Sequence, residues 1–257
     1  MITSAIVLAA GRGTRMGKLA EEIPKPMLRV QGRPLMEYVV DLLATYGVKD
    51  IGVNVCHKPE AIVDYFGSGS SFGVNIHYVH EEELSGTAGG VLRVARAMRL
   101  DSPFFVISSD MLVNFNLHQL ADAHIKSCCI ATLSCFYRPK DQLKKSGLLL
   151  FDPTTRRISD FIERPVDDSA IISQWVNSSV YAFSPKILQY IEQACGAEKS
   201  VDLPRDIFPK LLATKEPLYA HPFYADEYYQ LGIDSPDRIE RAENDIATGV
   251  FKPVKRT

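Results

Sequence analysis

The chain lacks an excess of charge of either sign, a paired-cysteine motif and any apolar run long enough to cross a bilayer. Its net charge is −2 and its isoelectric point about 6.3, which argues against bulk electrostatic binding to nucleic acid or to an anionic membrane. A local basic pocket is not excluded by that balance. The five cysteines (Cys56, Cys128, Cys129, Cys135 and Cys195) are an odd set without a CxxC pair. Free thiols in a reducing compartment fit them better than disulfides or zinc. The first apolar run, Ser4 to Ala10, is far too short for a membrane span, and no charged segment with a long apolar stretch precedes it. No signal peptide is expected, and the expected location is cytoplasmic. With no linker, low-complexity tract, internal repeat or C-terminal hexapeptide pattern, one domain over residues 1–257 is the simplest expectation, without a β-helix at its end.

What is present is an alternation of short apolar runs with helical periods. Ser4 to Ala10 reads as a strand. In "RPLMEYVVDLLATYG" the residues Leu35, Tyr38, Val39, Leu42, Leu43 and Tyr46 fall at helical spacing, with Pro34 at the start and Gly47 past the end. "DIGVNV" is a second strand, "KPEAIVDYFG" a second helix, "NIHYVH" a third strand and residues 87–98 a third helix. "PFFVIS" is apolar throughout, as a strand covered on both faces would be. Asn116 is placed to cap a helix running to about Lys126. This alternation predicts βαβ crossovers and a mostly parallel sheet. The second half is richer in strands: "CIATLSCFY", "GLLLFD", "RISDFI", "VNSSVYAF" and "PLYAHPF". Helices are expected near 185–193, 203–213 and 236–247, the last with Ser235 as its N-cap.

The opening stretch "SAIVLAAGRGTRMGKLAEEIPKPML" ends a strand in glycines and follows them with Arg15, Lys18 and Lys25. Two common phosphate loops fail here. A dinucleotide fingerprint needs glycine where Met16 stands. A Walker A loop needs four residues between its glycines and Ser or Thr after the lysine, whereas Gly11 and Gly17 enclose five and Leu19 follows Lys18. The chemistry still suits phosphate. Glycines let backbone N–H groups approach an anion closely, Arg15 offers a planar fork for phosphate oxygens, and Lys25 a compact charge. A glycine-rich turn with solvated basic residues fits the GxG alone equally well.

The joined motif "LAAGRGTRM" and "PKPMLRVQGRPLMEYVV" resembles the sugar-1-phosphate nucleotidyltransferases, also called nucleoside-diphosphate-sugar pyrophosphorylases, nearest in look to mannose- or heptose-1-phosphate guanylyltransferases. The resemblance implies an α/β fold with a mostly parallel, Rossmann-like sheet flanked by helices, of GT-A-like type. About 1–126 would form the nucleotide-binding half and about 127–257 a strand-rich sugar-phosphate-binding half. It implies nucleotide contacts from Leu8, Ala9, Ala10, Gly11, Gly13 and Thr14, and from Gly86 and Thr87 in "LSGTAGGVLRVARAM". Asp110, ending "FFVISSD", takes the position of a Mg²⁺-binding aspartate. Gly147 in "SGLLLFD", Glu163 and Arg164 in "DFIERP", and Asn177 in "VNSSVYAF" map to the sugar phosphate. Five departures are visible: Gly17-Lys18 where a proline is common, Arg164 for lysine, Ser179 for glycine, Tyr229 in a tryptophan's place, and Gln230 where a second metal-binding aspartate is expected.

The implied reaction joins a sugar 1-phosphate to an NTP, giving NDP-sugar and pyrophosphate by in-line attack of the sugar phosphate on the α-phosphorus. Arg15 and Lys25 would neutralise the phosphates and Mg²⁺ on Asp110 would align them. NTP and sugar 1-phosphate are thus the expected partners, with neither nucleic acid nor membrane. A homo-oligomer is left open. GTP is the first choice of nucleotide, with uridylyl, thymidylyl and cytidylyl transfer open. The rival reading is a regulatory subunit that binds sugar nucleotide without making it, motivated by Gln230 and Arg164. Two other patterns are set aside. "GSSFG" matches GxSxG around Ser71 but follows a helix and precedes a strand, the reverse of a nucleophile elbow. His77 and His80 beside "EEE" read as a strand end and charged loop rather than a metal site.

Overall fold

The computed structural model describes residues 1–11 and 13–254. The first half begins with β1 (Ser4–Leu8), the short helix α1 (Lys18–Glu22), a small ribbon of β2 (Arg29–Val30) and β3 (Arg33–Pro34), and α2 (Leu35–Thr45). It continues with β4 (Asp50–Val55), α3 (Pro59–Phe66), β5 (Asn75–His80), α4 (Gly86–Met98), β6 (Phe104–Ser108), β7 (Met111–Val113) and α5 (Leu117–Ser127). The second half holds β8 (Ala131–Tyr137), β9 (Gly147–Phe151), β10 (Ile158–Glu163), β11 (Trp175–Phe183), α6 (Ile187–Cys195), α7 (Phe208–Ala213), β12 (Leu218–Phe223), β13 (Gln230–Gly232) and α8 (Pro236–Ala247).

One nine-stranded sheet runs through both halves in the order β10-β9-β11-β6-β1-β4-β5, with β8 and β12 joined beside β11. Strands β6, β1, β4 and β5 are parallel; β11 enters antiparallel to β6 and pairs antiparallel with β8 and β9, while β12 runs parallel to β8. The expected α/β class, with a Rossmann-like parallel core and a strand-rich second half, is what the chain adopts. The period of two explains the layering. Ala5 and Val7 of β1 face a core made with α2, α3 and α5, while Ile6 between them faces one made with α4, α6 and α7. Asn116 caps α5 as expected, its side chain accepting from the N–H groups of His118 (3.1 Å) and Gln119 (3.3 Å).

Two local expectations change. Ser235 makes no side-chain cap bond to α8; its side chain instead holds the nearby Asp237 carboxyl below its usual range. The helix expected at 203–213 is two pieces, a π-turn at Leu203–Ile207 and then α7. The ribbon of β7 and β13 was not expected at all; it packs a third apolar cluster from Met16, Tyr38, Tyr229 and Phe251.

Candidate active site

The carboxyl ends of β1, β4, β5 and β6 open onto one cavity of about 420 Å³, large enough for a mononucleotide. Its place is the one an open α/β sheet offers, since β1 is flanked by β4 on one side and β6 on the other, where the strand order reverses. Leu8, Ala9, Ala10, Gly11 and Gly13 form one wall. Gly13 and Gly17 both take positive φ (64° and 58°), which bends the loop around the 3₁₀ turn Thr14–Met16. Met16 is the anchor of that turn, buried in the third cluster, so the residue that breaks the dinucleotide fingerprint is the one that pins the loop. The Ala9 N–H donates to Asn54 Oδ1 at 2.8 Å.

Lys25 and Asp110 meet at the cavity, Lys25 Nζ donating to Asp110 Oδ2 with both side chains largely shielded. Arg15 stands off: its side chain is 59% exposed, is not among the residues lining the cavity, and pairs with Asp234 at 3.5 Å. Asp234 is held in turn by Arg238 at 3.1 Å. Thr14 is exposed and also outside the lining, and the Lys18 side chain lies outside the described residues. Gly86 and Thr87 line the opposite wall with Glu81 and Ser85. Glu81 is buried at 1% exposure; its carboxylate accepts from Asn54 Nδ2 (2.6 Å), Ser85 N–H (3.1 Å) and the Ser85 hydroxyl (2.5 Å).

Gly147, Glu163 and Asn177 converge beside this cavity, not in its lining. Gly147 pairs with Glu163 across β9 and β10, and a Cβ on Gly147 would sit 2.6 Å from Glu163 Oε2. Asn177 Nδ2 donates to the Tyr181 hydroxyl at 2.8 Å, leaving its carbonyl to accept from Ser179 N–H at 3.2 Å. Burial raises the Glu163 pKa, opposed by Arg164 and reinforced by Asp202. Arg164 Nε lies 3.4 Å from Glu163 Oε1 with its side chain more than half exposed.

This arrangement pairs a glycine-rich loop with a shielded lysine–aspartate pair. The family model for nucleotidyl transferases matches residues 4–232. The chain belongs to the nucleotidyl transferase family. It is 32% identical over 226 residues to the UTP–glucose-1-phosphate uridylyltransferase of Synechocystis sp., covering 84% of this chain and 57% of that protein. It is 32% identical over 247 residues to the mannose-1-phosphate guanylyltransferase of Mycobacterium tuberculosis, covering 96% of this chain and 65% of that protein. The chain therefore spans less than two thirds of the length of these relatives. A UDP-glucose pyrophosphorylase solved with UDP-glucose shares the fold with a TM-score of 0.82 at 19% identity, over 97% of this chain and all of that one.

Within this nucleotidyl transferase, Gln230 does not project freely toward Asp110. Arg138 Nη2 donates to both the Gln230 side-chain and main-chain oxygens, and the register of the β7–β13 ribbon sets Gln230 opposite Val113. From this end of the ribbon it is the main chain of Ile233 that reaches Asp110, its N–H donating to the Asp110 carbonyl at 2.9 Å. Tyr229 is a core residue, stacked on Phe251 at 4.5 Å and donating to Asp245 at 2.8 Å. Ser179 takes φ +55°, the left-handed conformation for which glycine is better suited, at a bulge in β11. Sequence reading missed Asn54, Glu81, Ser109 and Asp202 among the cavity residues. A polar residue closing an apolar strand, as in "DIGVN" or "YVHE", was the available signal. Among the described residues no group of three His, Cys, Asp or Glu could by itself hold a metal ion.

Proposed function

We propose that the chain transfers a nucleotidyl group from an NTP to a sugar 1-phosphate, releasing pyrophosphate. The observation that carries this reading is the shielded Lys25–Asp110 pair set in the cavity against the glycine loop. Lys25 would bridge the phosphates at the reacting centre once a polyphosphate competes for its charge, and the loop N–H groups would cradle the chain of phosphates. Arg15, exposed and tied among the described residues to Asp234 across 3.5 Å, would turn onto the departing pyrophosphate. Glu163 and Asn177 would take sugar hydroxyls, and Arg164 the sugar phosphate. No protein nucleophile is needed; positioning and charge neutralisation suffice.

The donor set suits Mg²⁺ of the kind that binds one carboxylate and completes its shell with substrate oxygens and water. Asp110 would hold it: its Oδ1 has no protein donor among the described hydrogen bonds, and its side chain is 26% exposed at the cavity. When bound, the ion would offset charge on the phosphates. The base preference rests on the likeness to a mannose-1-phosphate guanylyltransferase, while the equal likeness to a glucose-1-phosphate uridylyltransferase keeps UTP open. GTP is the first nucleotide to try. A matrix of four NTPs against mannose, glucose and other sugar 1-phosphates, read as pyrophosphate release, tests the reading. Nucleotide-sugar binding without pyrophosphate from any pair would favour the regulatory-subunit alternative.

A further inference from the structure

The segment 200–203 belongs to the second half of the chain, yet it helps to close the nucleotide cavity of the first: Ser200 and Asp202 line it. This strap lies against the first turn of α4. Val201 N–H donates to the Ser85 carbonyl at 3.0 Å, and the Ala88 N–H donates to the Val201 carbonyl at 2.9 Å. The fit depends on Gly86, whose φ is +78° and where a Cβ would run into the Val201 main chain. Asp202 completes the joint. Its Oδ1 accepts from Thr87 N–H at 2.9 Å and from the Thr87 hydroxyl at 3.1 Å, while Leu203 N–H donates back to Thr87 Oγ1 at 2.8 Å. Its Oδ2 faces Arg205 at 3.2 Å.

Two consequences follow. The N–H groups of Thr87 and Ala88, which a helix start leaves free for an anion, are already taken by the strap. Phosphates are thereby left to the opening loop. The π-turn that begins directly after Asp202 also packs on both α4 and β10, and β10 carries Glu163. The same carboxylate thus sits between the helix that walls the nucleotide cavity and the strand that carries the sugar cluster, close enough for its field to raise the Glu163 pKa.

We propose that Asp202 is a positioning residue: it locks the sugar half onto the start of α4 and so couples recognition of the sugar to recognition of the nucleotide. This rests on the reading of the two subsites given above. Val201 keeps the cavity wall in place by main-chain bonds alone, so loss of the Asp202 carboxylate should loosen the sugar half more than the nucleotide wall.

Product binding tests the coupling without turnover. A nucleoside diphosphate fills only the nucleotide cavity, whereas the matching nucleotide sugar reaches both halves. Calorimetry is run with GDP and GDP-mannose, and with UDP and UDP-glucose. For the pair that binds wild type more tightly, Asp202→Ala is expected to weaken the nucleotide sugar about tenfold and the diphosphate less than about threefold, the scale of one lost hydrogen bond to a charged group. Thr87→Val, which removes the shared hydroxyl, should give the same pattern and carries the test if Asp202→Ala does not fold. The double variant should be no worse than the stronger single one. Equal weakening of both ligands, or additive single effects, would overturn the proposal, as would failure of wild type to bind either pair. If wild type binds nucleotide sugar and shows the ratio but releases no pyrophosphate, the transferase reading fails and the joint stands. If wild type turns over and the ratio does not move, the joint fails and the transferase reading stands.

Discussion

Replacing Lys25 by alanine separates the proposed catalytic role of its charge from its structural one. Lys25 and Asp110 are 15% and 26% exposed, between the surface pairs that contribute about 0.2–1 kcal/mol and the buried pairs whose rupture costs about 3–5 kcal/mol. A loss of roughly 1–2 kcal/mol in stability is expected, about 2–8 °C in Tm for a chain of this size. The effect on turnover should be larger. A cation at the reacting phosphates is worth on the order of 10²-fold or more, by analogy with lost transition-state donors. Pyrophosphate release measured at saturating NTP and sugar phosphate, beside thermal unfolding of the same samples, gives both quantities. Adding Asp110→Asn should restore stability by removing the orphaned carboxylate while leaving turnover low. Turnover of Lys25→Ala within about threefold of wild type would refute the assignment of Lys25 to the phosphates.

Asp110→Asn alone should raise the Mg²⁺ concentration needed for half-maximal rate and lower the rate itself; full activity in excess chelator would remove Asp110 from the metal. Arg164→Ala should raise the KM for sugar phosphate with little change for NTP, and a change confined to NTP would contradict its placement. Gln230→Asp is expected to leave the Mg²⁺ titration unchanged, because the new carboxylate would pair with Arg138; a tightened Mg²⁺ dependence would mean that position 230 does reach the metal. Burial lowers the His124 pKa to about 4 from an ordinary 6.5, so the folded chain keeps it neutral where the unfolded chain takes up a proton. Its contribution is complete above about pH 6.5 and is lost as pH falls toward 4. His124→Gln should therefore flatten the fall of Tm across that window, and parallel curves for the two proteins would refute the burial argument.

Local signals fixed the parallel half of the fold well and the site unevenly. Strands such as "PFFVIS" and the Pro-started helices are dictated by period and by φ, both local properties, and they appear where the pattern put them. The wall of the cavity formed by the opening loop was legible for the same reason: Leu8 to Gly13 directly follow a strand, so their position is set by the strand's end. Asp202 was not legible. It joins Thr87 across more than a hundred residues, and nothing in "SVDLPRD" marks a segment that returns to a distant helix. Arg15 was read as part of the site, and it is near it, but an exposed side chain has no packing to fix its direction and rests on Asp234.

Gln230 shows why a motif position is weaker than a register. By alignment it replaced an acid and so raised the question of an impaired metal site. The ribbon decides what position 230 can touch. In β13 and just past it the main-chain groups of Leu231 and Ile233 turn toward the strand that Asp110 leads into, so those of Gln230 and Gly232 turn outward, and two arginines cover them: Arg138 donates to the Gln230 carbonyl, and Arg238 to the Gly232 carbonyl at 2.9 Å. An unpaired strand edge is thereby closed by guanidinium groups. A neutral amide at position 230 suits that role. Arg138 is already half-buried, with burial and the charges of Arg241 and Arg238 lowering its pKa to about 10, and the glutamine supplies acceptor oxygens without a further buried charge. Gln230 thus serves the ribbon, and its presence does not bear against the one-carboxylate site proposed at Asp110.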